Sequence, residues 1–312
     1  MSLQVFLRLI LTPALIVGLG LSSAHAIYKY KDENGRWVYS DTPKGQSSVI
    51  SKPRKDPPAA QPVRSTGGLA RIVELKGLIA GKHGTPVEFR SPTSESQENA
   101  SGYTAKGHMV IDYPQVITLL EVIERRLDKY PEGFLNSIGM DRFVVARKLE
   151  SPRLASVAGW ADCNAKTMFL DFEASPSSLQ RTLDHEIFHF FDCQTMGNQM
   201  RTEPAWLALN ARGFSYSLKH FGSMRGGSFR RTGNSWESVP GFVSRYAMVN
   251  AAEDKAETYE MIISPGEREH AFALAAKDPI VAKKIALIVQ RIQKHSPGFL
   301  PGLDPRFSQF IR

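Results

Sequence analysis

Apolar residues recur at helical spacing in three stretches, and shorter runs of apolar residues lie between them. From Ser175 to Cys193, Leu179, Leu183, Ile187 and Phe190 form one apolar face. Ser175 is placed as N-cap, with Pro176 at the first helical position, where its missing N–H is not needed. Val116, Leu119, Leu120, Ile123 and Leu127 predict a second helix over Tyr113 to Lys129. Ile280, Ile285, Ile288, Val289 and Ile292 predict a closing helix over Asp278 to Lys294, its lysines and arginine facing water. Arg142 to Arg147 and Lys166 to Phe172 read as strands, the second partly buried on both faces. Helices mixed with short strands place the chain in the α+β class.

The N-terminal quarter has a different pattern. Arg8 is the only charge in the first 26 residues, Leu9 to Leu21 is apolar, and Ala24-His25-Ala26 has the form of a cleavage site, so 1–26 reads as a signal peptide. From 27 to 50 a small β module is expected: Tyr28, Tyr30, Trp37 and Tyr39 flank Asn34-Gly35, the dipeptide of a two-residue hairpin turn. Residues 51–68 are rich in Pro, Ser, Lys and Arg and read as a linker. Residues 69–106 form a connecting segment without a signature, and the main domain is expected over 107–312.

Composition changes the picture little, with 42% hydrophobic and 22% charged residues. The formal net charge of +8 falls to about +7 once Arg8 leaves with the leader. Much of the excess is spread out, with local clusters at Arg225 to Arg231 and Lys283 to Lys294 and no interleaved aromatic and basic pattern, so nucleic acid is not an expected partner. Association with anionic envelope surfaces or an acidic substrate fits better. No stretch after the leader approaches the roughly 18 apolar residues of a membrane span. Export to the periplasm or beyond makes Cys163 and Cys193 natural disulfide partners, although Cys193, one turn beyond His189, could instead be a third metal ligand.

The chemistry lies in the first of the three helices. His185-Glu186-Ile187-Phe188-His189 spells H-E-x-x-H. Two residues four apart on a helix are about 40° apart around its axis, so both imidazoles can reach one ion, and Glu186 is offset towards a metal-bound water. Downstream, Glu203-Pro204-Ala205-Trp206 and a Gly-, Ser- and Arg-rich loop over Gly222 to Ser235, read as a cleft rim, precede Gly241 to Ile263. That last segment carries Tyr246, Glu253 and Ala256-Glu257.

HExxHxxD followed by Y-x6-E-x2-AE, over roughly 140 to 265, resembles the anthrax lethal factor-like and Pro-Pro endopeptidase branch of the gluzincins. It is similar also to bacterial envelope proteins classed as zinc-binding metallopeptidases. The resemblance implies a zincin-like metallopeptidase domain in which His185, His189 and Glu253 hold Zn2+, Glu186 is the catalytic base and Tyr246 donates to the transition state. Glu257 and Asp192 would support the ligands from behind, and the strand before the metal helix, here Lys166 to Phe172, would pair with a peptide or protein substrate. Phe188 stands where the family often has Gly. The run Tyr28-Lys29-Tyr30-Lys31-Asp32-Glu33-Asn34-Gly35 with Tyr39-Ser40-Asp41-Thr42-Pro43 resembles a small domain of unknown function that follows signal peptides in proteobacterial envelope proteins.

Plainer readings stand beside these. Glu253 could close a capping box with Asn250, leaving Glu257 as the ligand, and Tyr246 could be a core aromatic. The whole could be a zinc-containing envelope binding or assembly protein without activity, or a metal-free scaffold for the N-terminal module.

Overall fold

The computed structural model describes residues 28–31, 37–40, 48–49, 66–90, 97–98, 102–106, 112–150, 157–221 and 240–311. The expected leader, the Asn34-Gly35 turn, most of the linker and the Gly222 to Ser235 loop lie outside the described residues. The chain divides into two units, Met1–Arg64 and Ser65–Arg312.

In the first unit, β1 (Tyr28–Lys31) pairs antiparallel with β2 (Trp37–Ser40), Tyr28 opposite Ser40 and Lys31 opposite Trp37. A third strand, β3 (Ser48–Val49), pairs with the other side of β1, so the hairpin belongs to a three-stranded sheet.

The second unit begins with α1 (Thr66–His83), so the main body starts near Ser65 and not at Gly107. Ile72, Leu75 and Ile79, three and four residues apart, are the buried face that packs on the helix at Tyr113–Leu127. Then come β4 (Val87–Phe89), β5 (Gln97–Glu98), β6 (Thr104–Lys106), α2 (Tyr113–Leu127), α3 (Phe134–Ser137), β7 (Arg142–Glu150), β8 (Gly159–Asp162) and β9 (Thr167–Asp171). The sheet order is β5-β6-β7-β9-β8, with β4 parallel beside the first half of β7. β7 and β9 are parallel, and β8 runs antiparallel to β9.

β9 is therefore an interior strand. Both of its edges are paired, which corrects the expectation that Lys166 to Phe172 offers an edge to substrate. The strand at the sheet's edge beside β9 is β8. Asp171 N donates to Ala158 O across the β8–β9 ladder, so the alternation of an antiparallel pair turns the backbone groups of Gly159 and Ala161 away from β9.

α4 (Pro176–Met196) lies on one face of the sheet, started by Ser175, whose hydroxyl accepts from Ser178 N at 3.2 Å. Leu179, Leu183 and Ile187 are buried in one core with Phe143, Val145, Met168 and Leu170. On the other face Ala146, Leu149 and Trp160 form a small cluster, with Trp160 stacked on Phe169 at 4.6 Å and against Tyr103 at 5.0 Å. Gly159 lets α4 approach the edge strand: a Cβ there would stand 2.7 Å from both Phe169 O and Thr182 Cγ2.

α5 (Pro204–Leu207), α6 (Ala251–Ile263), α7 (Pro265–Ala275), α8 (Pro279–His295) and α9 (Phe299–Leu303) complete the unit. Every residue of α6 except Glu253 is buried. α8 departs from expectation: Lys284 is buried against Asp254 and Arg291 pairs with Glu203, so two of its cations face inward. The Cys163–Cys193 disulfide, with Cα atoms 6.5 Å apart, ties the β8–β9 turn to the last turns of α4. Among the described residues no helix is long and apolar enough to cross a membrane.

Candidate metal centre

Two helices build the site. α4 presents His185, Glu186 and His189, and α6, packed across it, presents Glu253 and Glu257 one turn apart. Asn250 caps α6 by accepting from Ala252 N and Glu253 N, at 2.9 and 3.1 Å. The cap thus uses the Glu253 amide and leaves its carboxylate free to turn towards α4.

That carboxylate meets both imidazoles. Glu253 Oε2 lies 3.0 Å from His185 Nε2 and 3.4 Å from His189 Nε2, and the two Nε2 atoms are 3.1 Å apart. One donor atom from each residue falls within 4.8 Å of the others. Two ring nitrogens this close, facing one carboxylate oxygen, need a positive charge between them, supplied by a proton or a cation. An N, N, O donor set suits zinc.

The electrostatics say the same. Burial opposes charge on His185, yet hydrogen bonds to Glu253 and Glu257 and the nearby charge of Glu186 hold its pKa well above the usual value. Burial likewise works against ionised Glu253, but His189 and His185 bring its pKa well below the ordinary carboxylate range. The pocket is poised to hold a cation.

Supporting contacts fix the rings. His185 Nδ1 is 3.2 Å from Glu257 Oε1, and the other oxygen of Glu257 accepts from Ser244 Oγ at 2.6 Å. Glu257 therefore stands behind His185 rather than on its metal-facing side. Glu257 and Glu260 also form a second possible donor group with His185, but Glu260 accepts from Arg181 Nε at 2.9 Å. Cys193, an alternative ligand from sequence, is consumed in the disulfide. Asp192 differs from expectation. It accepts from Lys255 Nζ at 2.7 Å and not from a histidine, and His189 Nδ1 has no hydrogen-bond partner among the described residues.

Glu186 and Tyr246 complete the group. Glu186 Oε2 accepts from the outward amide of Ala161 at 2.8 Å, which places the carboxylate beside the edge strand. Tyr246 opens a short 3-10 turn, Tyr246–Met248, and its ring centroid is 5.9 Å from that of His185. Burial, followed by the charges of Glu253, Glu186 and Glu257, raises the Tyr246 pKa well above its usual value, so the hydroxyl keeps its proton.

Sequence reasoning missed the buried charges around this centre. Asp184, next to His185, is fully buried under Arg126, Lys129 and Tyr130, with Tyr130 Oη donating at 2.8 Å. Asp254, next to Glu253, accepts from Lys284 Nζ at 2.6 Å, Tyr216 Oη at 2.6 Å and Trp206 Nε1 at 3.0 Å. One signal was present: Lys284 is three residues after Val281 and four before Ile288, on the apolar stripe itself.

Comparisons with known proteins add three findings. The family described as "Domain of unknown function (DUF4124)" matches residues 14–66. No curated protein matches the chain significantly. Among solved structures, a "putative zinc-binding metallo-peptidase" from Bacteroides caccae ATCC 43185 is similar at a TM-score of 0.47 and 12% identity, covering 78% of this chain and 94% of that one. That likeness is too slight to carry fold or activity across.

Proposed function

We propose that this chain is a zinc-dependent peptidase of the cell envelope, periplasmic or secreted, with a zincin-like main domain. The observation that carries the reading is the meeting of His185 Nε2, His189 Nε2 and Glu253 Oε2 beside Glu186, itself held on the amide of the edge strand. His185, His189 and Glu253 would hold the metal. When bound, zinc supplies a Lewis acid that brings the pKa of a coordinated water towards about 7 and polarises a carbonyl.

The chain's own residues do the rest. Glu186 takes the proton of the attacking water and passes it to the leaving amine, while the Ala161 amide keeps the carboxylate aimed. Tyr246 donates its retained proton as a hydrogen bond to the developing oxyanion. Glu257, braced by Ser244, holds the tautomer of His185. A peptide substrate would pair with β8 through the outward backbone groups of Gly159 and the Ala161 carbonyl, the Ala161 N–H being held by Glu186.

The test is zinc per chain together with cleavage of a peptide library, for the wild type, His185→Ala and Glu186→Ala. Near one zinc per chain, lost in His185→Ala and retained without cleavage in Glu186→Ala, is the expected result. Full cleavage by Glu186→Ala would remove the assigned base. Stoichiometric zinc with no cleavage by the wild type would favour a zinc-containing binding or assembly protein.

A further inference from the structure

The ligand Glu253 is followed directly by two charged residues, Asp254 and Lys255, and both are fully buried. At about 100° per residue they cannot face the metal with Glu253. Asp254 turns to α8 and α5, against Lys284 and Trp206. Lys255 turns back to α4. Its Nζ is 2.7 Å from Asp192, one turn beyond His189, and 3.1 Å from Glu203 Oε2 at the start of α5. Glu203 is in turn held by Arg291 of α8 at 2.8 Å, giving two cations and two anions in one buried cluster.

A buried ion pair is weak evidence of stability, since an apolar pair of similar size is often as stable. Its distinguishing property is direction: Lys255 satisfies Asp192 and Glu203 together only at one height and rotation of α6 against α4. One residue of slip along a helix is about 1.5 Å, whereas metal–ligand distances tolerate about 0.2 Å. The cluster bridges the two helices that carry the donor atoms, and it does so two residues from Glu253 and three from His189.

We propose that Lys255, through Asp192 and Glu203, is a positioning residue that sets the reach of Glu253 to His185 and His189, so that the metal centre is preorganised before the metal arrives. This rests on the metal reading given under Proposed function. It also gives Glu203-Pro204-Ala205-Trp206 a role, because Glu203 anchors Lys255 and Trp206 anchors Asp254.

The test uses the full mature chain and two double variants. Asp192→Asn with Lys255→Met removes the Lys255 bridge between α4 and α6, keeps the Arg181–Glu260 pair that also joins them, and leaves Glu203 paired with Arg291. Asp254→Asn with Lys284→Met removes as many buried charges, between α6 and α8, and leaves Lys255 with both Asp192 and Glu203. Zinc affinity is measured against a chromophoric chelator, cobalt absorption reports the ligand geometry, and melting of the metal-free protein reports folding. The bridge variant is expected to bind zinc about 10- to 100-fold more weakly with an altered cobalt spectrum, and the control to stay within about threefold of wild type. Equal zinc affinity in the bridge variant and wild type, or equal loss in both variants, would overturn the proposal. Should the bridge variant fail to fold, Lys255→Gln, whose shorter and neutral side chain does not span Asp192 and Glu203 together, takes its place with the same outcomes. A wild-type chain that binds no zinc would remove the underlying metal reading, a result distinct from either.

Discussion

The imidazole of His185 lies between two carboxylates, Glu253 Oε2 at 3.0 Å from Nε2 and Glu257 Oε1 at 3.2 Å from Nδ1. The two contacts are on opposite sides of the ring. With Nδ1–H donating to Glu257, the proton that His185 gives up to a metal is the one on Nε2, facing Glu253.

This relationship ranks the two glutamates. Glu257→Gln keeps an acceptor near Nδ1 and should weaken zinc about tenfold, whereas Glu253→Gln removes an ionised ligand and should weaken it by more than about 100-fold. Chelator competition on the two variants decides the matter. The reverse order would make Glu257 the ligand.

Acid and base should act on the metal-free protein in opposite senses. The raised pKa of His185 gives stability that is complete below about 6.5, its unfolded value, and is lost as pH rises through the folded value. The lowered pKa of Glu253 gives stability present above about 4.3 and lost as pH falls through its folded value. Zinc needs the imidazole of His185 neutral, so zinc should displace about one proton, and affinity should climb about tenfold per pH unit while the pH lies below His185's folded value. Calorimetry in two buffers of different ionisation enthalpy counts that proton. An affinity independent of pH would contradict it.

Gly159→Ala tests the packing of the edge strand on α4. The new methyl would meet Phe169 O and Thr182 Cγ2 at 2.7 Å, and neither a backbone carbonyl nor a helix-borne threonine yields easily. A loss of about 1–3 kcal/mol is expected in denaturant melts. If β8 shifts to relieve the clash, the Ala161 amide leaves Glu186, and cleavage should fall further than stability alone explains.

Asp184→Ala should be among the most damaging single changes. It leaves the partly buried Arg126 and Lys129 without their fully buried anion, which costs about 3 kcal/mol. Urea unfolding of the metal-free chain measures this directly.

Amphipathic helices were legible in the sequence because their signal is local. α2 and α4 follow their apolar stripes, and Ser175 caps where its side chain chemistry says it should. α1 was missed: it begins Thr66-Gly67-Gly68, and Leu69, Val73 and Leu78 are exposed, which blurs the stripe of Ile72, Leu75 and Ile79. The place of β9 inside the sheet depends on pairing with β7 and β8, and no periodicity within five residues encodes a partner. At the site, the H-E-x-x-H spacing marked His185, Glu186 and His189, while Glu253, Glu257 and Tyr246 were marked by the resemblance to the gluzincins, and the fold brings all six together. Asp192 does not, because its partner is Lys255, in a helix whose run of charges reads as surface although α6 is buried throughout save for Glu253.

The Cys163–Cys193 bond closes a covalent ring, with a sequence separation of 30, around β9 and most of α4. His185, Glu186 and His189 lie inside the ring and Glu253 outside it. Closing a loop of that size restricts the unfolded chain by about 3–4 kcal/mol. His185 and His189 are only four residues apart, so an unfolded chain would keep some hold on zinc through them. Metal bound in both states cancels from the folding equilibrium. What remains would be the bond made by Glu253, and through it zinc would favour the native chain over the denatured one.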